Sequence, residues 1–227
     1  MQIYKKLMIT LGMILFTVFA ASNTIVGESS NQLPGTFVDR PASNGGTAVQ
    51  LDAPFISQQA IKAWNGCEAA SLLEGLHEKG VMLNTDLRTF LAQMPISKNN
   101  DPNNGYAGSP YLKSEGRIFQ SIFPEALTKW GNQYHHVKNI SGSSVSELRA
   151  QVKLGNPVVT YIVSHYGTPQ YQKYFWGTGI NNSHVVLLDG YENGYYHVAD
   201  PNRGKYWVNA DLFERAYNYQ KDAVAIQ

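Results

Sequence analysis

The stretch HVVLLDGYENGYYHVAD occupies residues 184–200. Two runs rich in β-branched and aromatic residues, His184 to Tyr191 and Tyr195 to Asp200, flank Glu192-Asn193-Gly194, a hairpin signal. Upstream, Pro157 to Val163 (PVVTYIV) has the same character and reads as a buried strand. Lys205 to Val208 and Ala223 to Ile226 add two more strands. The earlier half of the chain carries a different period. Cys67 to Lys79 bears Ala70, Leu72, Leu73 and Leu76 at helical spacing and is stopped by Gly80. Thr85 to Met94 reads as a second helix, closed before Pro95, and Pro124 opens a third that runs to Trp130. Ser144-Val145-Ser146-Glu147 is a capping box, so a fourth helix runs to Leu154 and ends at Gly155. Helices first and sheet second predict an α+β domain, with the helical half packed on a C-terminal antiparallel sheet.

The N-terminus has a separate logic. Lys5 and Lys6 precede an apolar run from Leu7 to Ala20, and small residues follow it. A positive start, a short apolar core and a small-residue exit describe a secretory signal peptide, taken as residues 1–22. The run is short for a membrane span, which needs about 20 apolar residues. Export is therefore expected, with the cell surface as the alternative if the segment is retained as an anchor. Residues 23–49 are polar and rich in Gly, Ser and Asn, which reads as a flexible linker or pro-region, and 50–227 as the domain proper. A net charge of +1 argues against nucleic acid or anionic membrane as a partner, since both need a strong basic excess. The 14 Tyr, 9 Phe and 4 Trp suit either a well-filled core or a cleft that contacts peptide or glycan.

One cysteine in an exported chain means no internal disulfide, so its neighbours decide what it does. Cys67 lies in Asn65-Gly66-Cys67-Glu68-Ala69-Ala70-Ser71, at the mouth of the first helix. A helix N-terminus carries unpaired N–H groups and a partial positive charge, which favour thiolate over thiol and can hold an oxyanion. A lowered thiol pKa is therefore expected. Six histidines are available as the base. His77 falls within a helix, His165 in a loop and His197 within a strand; His135-His136 lacks a third ligand, so no metal or cofactor is expected. His184 opens a long apolar strand, and Asp200 ends the next one. With a two-residue turn, Asp200 would face Leu187, on the wrong side of the sheet for His184. With a three-residue loop, Glu192 to Gly194, it pairs with Val186 and lies diagonal to His184 on the same face. The three-residue loop is the expectation. Cys67 would then be the nucleophile, His184 its base and Asp200 the group that orients the ring.

These residues resemble a known family. Ala53-Pro54-Phe55-Ile56-Ser57-Gln58, then Asn65-Gly66-Cys67-Glu68-Ala69, are similar to the opening of bacterial papain-like cysteine peptidases of the bacteriocin-processing, double-glycine peptidase-like type. Ile122 to Leu127, Gly155 to Val159, His184 to Tyr191 and Val198 to Pro201 extend the likeness in the right order, over roughly Leu51 to Gln227. The resemblance implies a papain-like fold, a Cys67, His184, Asp200 catalytic set, and an oxyanion glutamine assigned to Gln58. Gln58 lies further from Cys67 than in related thiol peptidases, and Gln59 is the adjacent alternative. The best-known relatives are fused to a transporter; this chain carries its own export signal, so their leader-peptide substrate does not transfer.

The leading expectation is a secreted, monomeric cysteine peptidase acting on peptide or protein substrates through a thioester acyl-enzyme. Two alternatives stand beside it: an amidase or endopeptidase acting on cell-wall peptides with the same chemistry, and a non-catalytic secreted binding protein on this scaffold. Substrate contacts, where loops carry them, are expected from 97–111 and 166–179.

Overall fold

The structure is a computed structural model that describes residues 37–38, 48–113 and 116–227. The expected signal peptide, 1–22, lies outside the described residues. In the first half come β1 (Phe37–Val38), β2 (Val49–Gln50), α1 (Cys67–Glu78), α2 (Leu87–Leu91) and α3 (Pro124–Gly131). Next are β3 (Val137–Asn139), α4 (Val145–Lys153), β4 (Val158–Val163), β5 (Tyr171–Tyr174) and β6 (Gly177–Ile180). The chain closes with β7 (Ser183–Glu192), β8 (Tyr195–Asp200), β9 (Gly204–Asn209), α5 (Ala210–Asn218) and β10 (Ala223–Ile226).

The main sheet runs β1-β9-β8-β7-β4-β10-β3, with β2 also pairing β7, and its neighbours are antiparallel. Both faces are covered. Alternate residues of β4 and β7 explain why: Val159, Tyr161, Val185 and Leu187 pack under the first three helices, with Leu72, Leu73 and Leu76 of α1. Val158, Ile162, Val186 and Leu188 face the other way, toward Leu148 and Val152 of α4 and Phe213, Ala216 and Tyr217 of α5. Strands buried on both faces lose the polar alternation of a half-exposed sheet, which is why these runs read as continuously apolar. Each buried Leu contributes about 1.5–3 kcal/mol relative to exposure. The α+β architecture with the Cys67 helix packed on an antiparallel sheet is as expected.

Several elements differ from expectation in instructive ways. The second helix spans Leu87–Leu91, and it starts two residues later than expected because Asp86 caps it, its side chain accepting from the Thr89 N–H at 2.7 Å. The Ser144 capping box forms as expected, with Glu147 reaching back to the Ser144 N–H. Helix α5 was not anticipated, although Leu212, Phe213, Ala216 and Tyr217 have the spacing of an apolar helical face. The aromatic segment expected as a loop at 166–179 is largely a hairpin, β5 paired with β6. Most of the tract expected as a flexible linker, 23–49, lies outside the described residues. Its described part corrects the boundary: Phe37 and Val38 pair with Val208 and Trp207 of β9, and Val49 pairs with Tyr191. Those residues belong to the sheet.

The β7–β8 hairpin corrects the expected loop. Glu192 pairs with Tyr195, so the turn is the two residues Asn193-Gly194, with Gly194 at φ +76°. Tyr191 pairs with Tyr196 and Gly190 with His197, but Leu188 pairs with Val198. Asp189 is thus the extra residue of a β-bulge. The bulge shifts the remaining register by one: Leu187 faces Ala199, and one step further sets Asp200 against Val186. The register expected of a longer loop is reached by a different device.

Candidate active site

The segment before α1 is drawn tight. The Gln58 N–H bonds the Pro201 carbonyl at 3.1 Å, the Ala63 N–H bonds the Gln58 carbonyl at 3.0 Å, and the Gly66 N–H bonds the Ala63 carbonyl at 3.0 Å. A Cβ at Gly66 would sit 3.0 Å from the Ala63 Cβ and 3.2 Å from its carbonyl oxygen, so this turn accepts a side chain poorly. Cys67 follows as the first residue of α1 and is half-buried. Across from it, β7 starts at Ser183, and the Ser71 hydroxyl on the next turn of α1 donates to the Val185 carbonyl at 3.4 Å.

His184 and Cys67 line one cavity of about 310 Å³. His184 is 7% exposed, and its Nε2 lies 2.7 Å from Asp200 Oδ1. That bond occupies Nε2, which leaves Nδ1 as the nitrogen available to a reacting group. Asp200 is 2% exposed and well supplied with donors. The Asn202 N–H reaches Oδ1 at 2.9 Å, and the Tyr206 hydroxyl reaches Oδ2 at 2.8 Å. Tyr206 in turn stands 3.1 Å from the Tyr166 hydroxyl, which must donate to it. Burial opposes charge on Asp200, but His184, the Asn202 N–H and the Tyr206 hydroxyl outweigh it and hold the carboxyl below its usual range.

The thiol behaves otherwise than expected. Burial, then the charge and hydrogen bond of Glu68, push the Cys67 pKa well above its ordinary value, while the Val185 backbone pulls the other way. The thiol donates to Glu68 Oε2 at 3.4 Å. A helix N-terminus alone favours thiolate, but here a neighbouring carboxylate and desolvation are the stronger influences. The expected lowering is therefore corrected.

Gln58 is 1% exposed, and its Nε2 donates to the Ala63 and Trp64 carbonyls at 3.1 and 3.0 Å. Both amide hydrogens are thus committed to the turn that presents Cys67, and Gln58 does not line the cavity. Gln59 donates to Asn202 Oδ1 at 2.7 Å on the surface. Neither glutamine is directed at the thiol. The first-turn N–H groups of α1, which have no partner within the helix, are the donors available where Cys67 begins it.

Residues that sequence reasoning passed over complete the cavity. Asn65, Glu68, Gln120, Ser121 and Asn181 line it. The expected substrate segments divide: 166–179 contributes Tyr174, whereas 97–111 buttresses the site from behind. In that second role the Tyr106 hydroxyl donates to the Asn65 carbonyl at 2.6 Å, and the Pro110 carbonyl accepts the Asn65 N–H at 2.9 Å. Glu68 carried one available signal, an acidic residue directly beside Cys67, in a helix first turn where an acid also complements the dipole.

Comparison with known proteins places the chain in a family. The model of the Peptidase_C39 like family matches residues 50–225. The Bacillus subtilis (strain 168) protein named "Uncharacterized protein YvpB" is 30% identical over 204 residues, covering 80% of this chain and 77% of its own length. A crystal structure from Bacillus anthracis, described as a C39-like peptidase, superposes with a TM-score of 0.69 at 23% identity. It covers 80% of this chain and 98% of that one, and shares the fold. A double glycine motif protease from an AMS/PCAT transporter, solved in complex with leader peptide, matches with a TM-score of 0.46 at 16% identity, over 79% of this chain and 95% of that one.

Proposed function

Because this chain belongs to the C39-like peptidase family, we propose that it is a cysteine peptidase hydrolysing peptide bonds with Cys67 as nucleophile and His184 as base. The observation that carries the reading is the His184 Nε2···Asp200 Oδ1 bond of 2.7 Å at the edge of the cavity that Cys67 also lines. Asp200, held by Asn202 and Tyr206, fixes the imidazole so that Nδ1 is free for the thiol proton.

In the proposed cycle His184 Nδ1 takes the Cys67 proton, and the sulfur attacks the substrate carbonyl carbon. N–H groups at the start of α1 receive the oxyanion. The C–N bond breaks as His184 returns the proton to the leaving amine, giving a thioester. A water molecule loses a proton to the same nitrogen, attacks the thioester, and releases acid and thiol. Export of the mature chain is part of the proposal and rests on the signal-like residues 1–22.

The test is to incubate wild type, Cys67→Ala and His184→Ala with a diverse peptide pool at pH 6 and map new termini by mass spectrometry. Alkylation of Cys67 by iodoacetamide is followed in parallel for wild type and His184→Ala. New termini in wild type alone, with alkylation slowed in His184→Ala, are expected. No cleavage, together with equal alkylation rates, would mean a scaffold without turnover.

A further inference from the structure

The cycle above makes no use of Glu68, the second residue of α1. Its side chain nevertheless touches the nucleophile, and the residue is only 3% exposed. Oε2 accepts the Cys67 thiol at 3.4 Å. Oε1 accepts from the Ser121 hydroxyl and, at 3.4 Å, from the Ile122 N–H. An acidic residue that merely complemented a helix dipole would sit in solvent. This one turns inward, into the wall of the cavity shared by Cys67 and His184. Two groups that each become anionic on losing a proton, in contact and with Glu68 buried, cannot both ionise cheaply.

From this contact we infer that Glu68 governs the ionisation of Cys67. As a carboxylate it accepts the S–H and holds the sulfur as thiol; as a carboxylic acid it donates an O–H···S bond and releases the sulfur to ionise. The inference rests on Cys67 being the nucleophile of the proposed peptidase. Protons balance as follows: the thiol proton moves to His184 Nδ1, and Glu68 gains one from solvent. The reactive form therefore holds one proton more than the resting form, and acid favours it.

The groups facing Glu68 among the described residues bear on this. Cys67 lies beside it on α1, and Ser121 and Ile122 come from the segment before α3. Tyr106 and, from β4, Tyr161 feel its charge, and their hydroxyls donate to the Asn65 and Ile122 carbonyls at 2.6 Å each. From the sheet side Asp200 acts on the same thiol, and His184 borders the cavity. Burial pushes the Glu68 carboxyl up, against its hydrogen bonds with Ser121, its own N–H, Cys67 and Ile122. Burial and Glu68 push the thiol up as well. The shared contact thus acts in one sense on both groups: Glu68 opposes the thiolate, and the thiol's hydrogen bond favours the carboxylate.

The experiment measures the rate of Cys67 alkylation by iodoacetamide from pH 4 to pH 10 in the full chain, wild type against Glu68→Gln. In wild type the rate should fall as pH rises through the Glu68 titration, then climb as the thiol itself ionises. Glu68→Gln keeps the acceptor for Ser121 and Ile122 and supplies an N–H to the sulfur. It should lose the fall and react at least tenfold faster than wild type near pH 8. Superimposable profiles overturn the inference. Should Glu68→Gln fail to fold, the wild-type profile decides alone: a fall before the climb supports the inference, and a single rise with pH overturns it. Alkylation reads thiol ionisation whether or not any peptide is cleaved, so failure here is distinct from failure of the peptidase reading.

Discussion

Replacing Tyr206 by Phe removes one hydroxyl that serves two neighbours, and their contributions separate with pH. The first is the charge-assisted bond to Asp200 Oδ2, 2.8 Å long, on a carboxylate 2% exposed. A hydrogen bond to a charged group contributes about 1.5–3 kcal/mol. The second is the 3.1 Å bond from the Tyr166 hydroxyl, which loses its acceptor at a residue 3% exposed. A neutral bond of that kind is worth about 1 kcal/mol.

The two parts have different pH dependence. Asp200 has a folded-state pKa below its ordinary value, so its ionised form adds stability at neutral pH, and the addition is lost as pH falls through the folded-state value. Without the Tyr206 hydroxyl that pKa moves up toward the unfolded one. The ionic part of the deficit is therefore complete at pH 7, shrinks below the variant's Asp200 pKa and vanishes below the wild-type one. The Tyr166 part does not titrate in acid. Urea unfolding at pH 7, 3.5 and 2 should give a Tyr206→Phe deficit of about 2.5–4 kcal/mol at neutral pH that narrows toward about 1 kcal/mol once pH falls below the wild-type Asp200 pKa. Tyr166→Phe, which removes only the outer bond, should lose about 1 kcal/mol at every pH. Should the Tyr206→Phe deficit stay constant with pH, or match that of Tyr166→Phe, the hydroxyl would not be supporting an ionised Asp200.

Two further outcomes follow from the same geometry. Gln58→Ala removes both bonds to the Ala63 and Trp64 carbonyls, so it should cost about 1–3 kcal/mol in chemical denaturation as well as slowing Cys67 alkylation. Lost turnover with unchanged stability would instead assign Gln58 to the substrate. Gly190→Ala would set a Cβ 2.7 Å from the Val49 carbonyl oxygen and 2.9 Å from the His197 Cβ, so strain of about 1–3 kcal/mol is expected in the same assay. Wild-type stability in that variant would mean that β2 can leave β7 freely.

Much of the architecture was legible because it is written in local periods and caps. The Ala70, Leu72, Leu73 and Leu76 stripe, the Ser144 box and the β-branched run from Val158 to Val163 each form the element they suggest. The proposed nucleophile, base and orienting acid were legible because Cys67, His184 and Asp200 each stand at or beside an element end. What escaped detection depends on contacts between distant residues. A bulge at Asp189 leaves no mark on an apolar strand, and the short edge pairing of Phe37 and Val38 with β9 has no pattern to detect. The effect of Glu68 on the thiol depends on Ser121 and Ile122, more than fifty residues away. Sequence spacing carries none of that.

The bulge also explains how two halves of the site come to face each other. As the unpaired residue, Asp189 turns a carboxylate that is 0% exposed toward partners on other segments. Oδ2 accepts the Ala53 N–H at 2.9 Å, Oδ1 meets His197 Nδ1 at 2.6 Å, and the Asp189 carbonyl accepts the Leu51 N–H at 2.8 Å. Residues 51–53 are thereby fastened to the middle of β7. A few residues on, the Gln58 N–H is fastened to the Pro201 carbonyl, directly after Asp200. The chain leading to Cys67 is thus tied at two points to the hairpin that carries His184 and Asp200. The same inserted residue sets the register that brings Asp200 to His184. One insertion therefore aligns His184 with Asp200 and anchors the approach to Cys67, so deleting it would disturb both at once. That shared dependence is why Asp189, which touches neither Cys67 nor His184, belongs to the architecture of the site.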